Sequence, residues 1–202
     1  MGCSPGGHRL VVAGTCVAGS RYTARIMTAI DKIPNIEVLG DAVPFVDRIR
    51  EIIEVIQLFE DFEPDELEGL ARYMRCYRAP LGSEIIHEGD TGDFMLLLLD
   101  GNVEIIKKDV RGLAQIMGTA GPGKTLGEMS LIDGEPRFAS CVALDTVEVA
   151  VLDRESLSRL ITEEPRIGVK LMMELLMLLN QRLRSVSSQL LDCIEARRSR
   201  IR

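Results

Sequence analysis

The chain has 202 residues, 46% of them apolar and 27% charged, with a net charge of −7. That is an ordinary soluble mixture, and its acidic balance argues against nucleic-acid binding, which needs a surplus of Lys and Arg. Five cysteines with no C-x-x-C pair, and only two histidines, argue against a disulfide framework and a His-based metal site. The cysteines read as reduced, buried thiols, and no metal or catalytic cluster emerges, so the chain does not read as an enzyme. M-G-C-S at the start has Gly6 where a lipidation signal needs Ser or Thr. The apolar run from Leu10 to Gly19 is short and glycine-broken, unsuited to a signal segment or a bilayer span. A cytoplasmic protein without a membrane partner is expected.

Residues 1–45 form a β-α-β-like appendage. Arg9 to Gly14 reads as a strand, Ile26, Ile30 and Ile33 share a helical face, and Asn35 to Ala42 reads as a second strand. The pattern resembles the opening of a response-regulator receiver domain but is too short for a sheet-based core of its own. It is expected to pack on the main domain. From Val46 the apolar positions 46, 49, 52, 53, 56 and 59 make an amphipathic helix, and Pro64 opens a second helix with acids in its first turn. Between Arg75 and Asp153 the chain breaks into eight short apolar runs, and ten of its 18 glycines fall between Gly82 and Gly134. No crossover helix of sufficient length intervenes, so the strands must pair antiparallel in a roll or sandwich. After Asp153 the chain turns helical, with one long helix from Pro165 to about Arg197. Met172, Leu176, Leu179, Leu183, Val186, Leu190 and Cys193 follow the alternating spacing of a coiled-coil seam, which predicts a homodimer through this helix. The division expected is 1–45 appendage, 46–160 β-roll domain with its leading helices, and 161–202 long helix and basic tail.

Two phosphate motifs compete. Gly118 to Thr125, G-T-A-G-P-G-K-T, matches the pattern of a P-loop nucleotide triphosphatase. A working P-loop must feed a substantial helix that crosses over to a parallel strand, and too few residues separate Lys124 from the turn at Gly134. The second motif is G-E-M-S-L-I-D-G-E-P-R-F-A-S, residues 127–140. A short helix there would aim N–H groups at an anion, Arg137 would add a bidentate charged fork, and Glu128 would accept from a sugar hydroxyl. A ligand whose phosphate lies close to its own ribose fits that set.

This second motif resembles the phosphate-binding cassette of cyclic nucleotide-binding domains, the family of catabolite activator proteins and kinase regulatory subunits. Upstream, E-G-D-T-G-D-F-M-L-L-L-L-D-G-N-V-E-I is similar to the family's hairpin signature, with Gly89, Asp90, Gly92, Asp93 and Gly101 in place. The resemblance covers about Leu58 to Arg197 and implies an α+β fold: an eight-stranded antiparallel jelly roll flanked by N-terminal helices and a long C-terminal dimerisation helix. It implies that Glu128 holds the ribose 2′-hydroxyl, that Arg137 grips the cyclic phosphate, and that backbone around Gly127, Met129, Ser130, Phe138 and Ala139 completes the cradle. It places a base-capping side chain near Arg182, among Asn180, Gln181 and Arg184. The position after the arginine, usually Ala, Ser or Thr, is Phe138 here. A ring turned inward would fill the pocket and leave a ligand-free dimeric scaffold; a ring turned outward would leave the pocket usable. Without a hydroxyl there, cAMP is expected to be slightly preferred over cGMP. The expected protein is a dimeric cyclic-nucleotide sensor or regulatory subunit with no other cofactor, acting on an unidentified protein effector.

Overall fold

The computed structural model describes residues 30, 33–53 and 62–199. The expected strand at Arg9–Gly14, the helical positions Ile26, Ile56 and Phe59, and the end of the basic tail lie outside the described residues.

β4, Phe94–Asp100, organises the rest. Its six apolar residues are all buried, so both faces of this strand must be covered, and alternation divides them between two cores. Phe94, Leu96 and Leu98 face one core, with Tyr77, Val103, Cys141, Val147 and Val149. Met95, Leu97 and Leu99 face the other, with Leu67, Leu70, Leu160, Leu171 and Leu175 from the helices. The result is three layers: helices, a five-stranded sheet, and a four-stranded sheet.

The five-stranded sheet runs β1 (Glu37–Asp41), β2 (Arg75–Ala79), β9 (Val147–Asp153), β4 and β7 (Thr125–Leu126). The second runs β3 (Glu84–Ile86), β8 (Ser140–Ala143), β5 (Val103–Lys108) and β6 (Ala114–Ala120). All pairings are antiparallel, and β2 with β9, β3 with β8, β4 with β7, and β5 with β6 nest as one folded hairpin. Eight strands were expected between Arg75 and Asp153, and all eight form. A ninth corrects the count: β1, from the N-terminal segment, pairs with β2, whose outer edge would otherwise be open.

The helices follow their sequence signals. α1 (Val46–Ile53) follows a single 3₁₀ turn, and α2 (Pro64–Ala71) starts with a capping box between Glu63 and Glu66. α3 (Glu128–Asp133) lies between β7 and β8, and α4 (Arg154–Glu163) is capped by Asp153, which accepts from the Ser156 amide at 2.7 Å. α5 spans Pro165–Ser199 and buries Ile167, Leu171 and Leu175 against the domain. From Leu183 to Arg198 every residue of α5 is exposed. Cys76 and Cys141 are free and buried as expected, their thiols pushed up to about 12 by burial, whereas Cys193 is exposed on α5.

The turn from β4 to β5 shows how glycine fixes this frame. Gly101 has φ +75, and an added Cβ would lie 2.5 Å from the Thr146 carbonyl oxygen. Gly82 has a similar φ of +81 but open space around it. We therefore expect Gly82→Ala to cost about 1–2 kcal/mol, the left-handed backbone alone. Gly101→Ala should cost roughly 3 kcal/mol or more, because overpacking adds to it. Urea denaturation of the two variants checks the order; equal losses would refute it.

Candidate functional site

The 127–140 stretch leaves β7, makes one short helix and enters β8. Gly127 starts α3 at φ +80 and Gly134 ends it at φ +76, both left-handed positions that suit glycine. The Ser130 carbonyl accepts from Arg154 Nη2 at 2.7 Å, which ties the far end of α3 to α4. One face of α3 is buried, and it carries Glu128 and Ser130, 1% and 3% exposed.

Arg137, 4% exposed, is equally deep. Its backbone is zipped to the β3–β4 loop: its amide donates to Asp90 O at 2.8 Å and its carbonyl accepts from the Gly89 amide at 2.9 Å. Its Nη1 donates to the Gly127 carbonyl at 2.9 Å, while Nη2 is buried with no hydrogen-bond partner in the protein. Gly92 makes room for the head group, since a Cβ there would sit 2.6 Å from Arg137 Cζ. Burial lowers the guanidinium's pKa, opposed first by the charge of Asp93.

Glu128 has a different partner. Its Oε1 pairs with Arg182 Nη1 from α5, and Arg182 Nη2 donates to the Thr125 carbonyl at 2.9 Å. Its Oε2 is buried and unpartnered. Burial raises the carboxyl's pKa, and the charges of Arg182 and Arg137 pull it back. The site thus joins a buried cation with a free donor and a buried carboxylate with a free acceptor. Such a pair suits a ligand that is anionic at one point and carries a hydroxyl at another.

The remaining expected positions fall around this pair. Met129 and Phe138 are exposed and Ala139 is half-buried. The Phe138 ring turns outward, 56% exposed, with Lys107 Nζ 4.7 Å from its centroid. Lys107 is itself held by Glu88 Oε1 at 2.7 Å.

The P-loop alternative at Gly118–Thr125 is corrected. The segment is the end of β6 and a turn into β7, and its backbone is committed to β4. The Gly123 amide donates to Leu98 O at 2.8 Å, and Lys124 O accepts from the Leu98 amide at 3.0 Å. A phosphate cradle needs such amides unspent and a long helix next, whereas the helix that follows is six residues long. Among the described residues no cluster of His, Cys, Asp and Glu could hold a metal ion, and no helix is long and apolar enough to cross a membrane.

Comparison with known proteins gives the family. The family model for the cyclic nucleotide-binding domain matches residues 78–164. A solved cyclic nucleotide-binding domain from Methylobacillus flagellatus is 41% identical, covers 78% of this chain and 89% of its own, and superimposes with a TM-score of 0.72. The chain belongs to the cyclic nucleotide-binding domain family. The cyclic AMP receptor protein of Thermus thermophilus is 32% identical over 145 residues, 71% of this chain and 65% of that protein. A cAMP-dependent protein kinase regulatory subunit of Aspergillus fumigatus is 36% identical over 134 residues, 66% of this chain and 32% of that protein. The chain therefore spans about two thirds of the receptor and one third of the kinase subunit.

Sequence reasoning reached Glu128, Arg137 and Arg182 but not their supports. Nothing in K-T-L-G marks the Thr125 carbonyl as an acceptor for Arg182. Nothing in F-M-L-L-L-L sets Phe94 apart from a core strand residue.

Among the described residues Arg182 is the side chain paired directly with Glu128, which gives a stability prediction. A carboxyl whose pKa is raised on folding holds its proton more tightly in the native state, so it destabilises the fold as pH rises through that folded pKa. Removing Arg182 raises the pKa further. Arg182→Ala should therefore cost about 1–3 kcal/mol at neutral pH, kept modest because Arg182 is partly exposed. The loss should shrink in mildly acidic buffer and in the Glu128→Gln background, where the hydrogen bond to the Thr125 carbonyl is what remains to be lost. Urea denaturation at the two pH values measures it; a loss independent of pH would remove Glu128 from the explanation.

Proposed function

We propose that this chain is the ligand-sensing unit of a cyclic-nucleotide-responsive regulator, not an enzyme. One observation carries the reading: in a family site, Arg137 Nη2 and Glu128 Oε2 are both buried and both without protein partners. The cyclic phosphate lies against Arg137 and the backbone around Gly127, Met129, Ser130, Phe138 and Ala139. The ribose 2′-hydroxyl donates to Glu128 Oε2, leaving Oε1 to Arg182. Arg182 was expected over the base; its bonds to Glu128 and Thr125 favour a place beside the ribose instead. The outward Phe138 ring weighs against the ligand-free scaffold, because the ring does not take the ligand's room. With no hydroxyl at that position cAMP is preferred slightly over cGMP.

The nested strand pairing supports a jelly-roll description of the domain, residues 46–160 with its leading helices, joined to the appendage at 1–45 and the helical segment at 161–202. α5 supports a parallel homodimer. Leu176, Leu183, Val186 and Leu190 of the seam are exposed by 57%, 64%, 61% and 59%. An isolated helical stretch of that length is marginal in water, so an apolar seam along it calls for a second helix. Output passes to a protein effector in the cytoplasm, with neither nucleic acid nor membrane as partner, in keeping with the net charge of −7.

Isothermal titration with cAMP and cGMP tests the site. Arg137→Ala should weaken binding by about 2–5 kcal/mol, as when one partner of a buried charge contact is removed. Lys124→Ala should leave it nearly unchanged. Loss of binding in Lys124→Ala with Arg137→Ala intact would reverse the assignment. Replacing Leu183 and Leu190 together by Glu should yield a monomer in light scattering, and a wild type already monomeric would refute the seam.

A further inference from the structure

Arg137 has a neighbour that the site described so far does not use. The Phe94 ring lies under the guanidinium, with Arg137 Cζ 4.3 Å from the ring centroid. Phe94 is 2% exposed and Arg137 4%, so water screens this contact from neither side. A buried cation needs compensation, and a carboxylate is the common means. Among the described residues none forms a salt bridge with Arg137; Asp93, Glu128 and Asp90 act on it only through longer-range charge.

We propose that Phe94 is the positioning residue of the anion site, its π face carrying the Arg137 guanidinium in place of a counter-ion. The proposal rests on the cyclic-nucleotide reading above and explains how that site is kept ready. A carboxylate would accept from the same N–H groups that a phosphate needs, so ligand would have to displace it. A ring face offers no lone pair. It stabilises the cation through its quadrupole, and more strongly when water is excluded. The fork keeps Nη1 on the Gly127 carbonyl and Nη2 unspent. Gly92 and Gly127 close the other sides, because a Cβ at either would collide with the head group. The guanidinium is thus fixed before ligand arrives, and little ordering remains to oppose binding.

The competing explanation is that Phe94 merely fills the core. Phe94→Leu keeps an apolar side chain without a π face, and Phe94→Tyr keeps the face. In the ligand-free wild type the Arg137 Nε–H resonance should be displaced upfield by the ring current. Phe94→Tyr should retain the displacement and Phe94→Leu should lose it. In titrations Phe94→Leu should weaken cAMP binding by about 5- to 30-fold, the range for a desolvated cation–π contact, with Phe94→Tyr close to wild type. Urea denaturation establishes that each variant folds; should Phe94→Leu fail, Phe94→Met replaces it. An undisplaced resonance in a wild type that binds cAMP overturns the proposal while sparing the function. So does a folded Phe94→Leu that binds cAMP like wild type. A displaced resonance in a protein that binds no cyclic nucleotide overturns the functional reading, and with it the role of Phe94, reducing the contact to packing.

Discussion

The constraint on which this structure turns is the burial of two opposite charges that do not neutralise each other. Glu128 and Arg137 are 1% and 4% exposed, yet each leans on something else, Glu128 on Arg182 and Arg137 on Phe94 and the Gly127 carbonyl. Left in each other's arms they would form a closed ion pair and offer a ligand nothing. Keeping them apart costs desolvation on both sides, and the surrounding structure offsets it. Gly127 and Gly92 open space for the guanidinium. The β3–β4 loop fixes the backbone of Arg137, and the Asp93 carbonyl accepts from the Arg154 amide at 2.7 Å, joining that loop to α4.

The same constraint ties the site to the long helix. α5 is held to the domain at two places, the first mainly apolar with a Lys170–Glu66 ion pair beside it, the second polar. Ile167, Leu171 and Leu175 are buried in the helix-side core, an attachment that depends mainly on apolar area and involves neither Glu128 nor Arg137. Arg182 is held by Glu128 and the Thr125 carbonyl, an attachment made of charge and hydrogen bonds at the site itself. Whatever alters the charge or contacts of Glu128 therefore acts on α5 at its second attachment and leaves the first in place. Beyond it the helix runs exposed from Leu183 to Arg198, with no buried residue to anchor its direction.

Much of this was legible in the sequence, for reasons that differ by element. Helices announced themselves through Pro64 with the acids after it and through Pro165, and α5 runs to Ser199, near the expected Arg197. The eight central strands were visible because turns rich in glycine cut them to length. β1 was visible as a strand, but its place at the edge of the main sheet was not, because pairing is a long-range fact that no local pattern encodes. Glu128 and Arg137 stood out as charges among small apolar residues. Their supports did not: Phe94 sits in a run of six buried apolar residues, and which one meets a guanidinium depends on the loop at Gly92 folding beneath it.

The two phosphate motifs show why letters alone mislead. G-T-A-G-P-G-K-T satisfies every position of a P-loop, while 127–140 matches a looser pattern with an intrusive Phe138. What separates them is the use of backbone groups. In the first, the Gly123 amide and the Lys124 carbonyl are both spent on Leu98, so the glycines serve a turn between strands. In the second, glycines at φ +80 and +76 bound a helix whose buried face carries Glu128 and Ser130, and the segment leading into β8, held at Arg137 by the backbone of Gly89 and Asp90, carries Arg137 inward and Phe138 out. A phosphate motif is therefore a statement about which N–H groups remain unbonded, and only the pairing of the whole chain decides that.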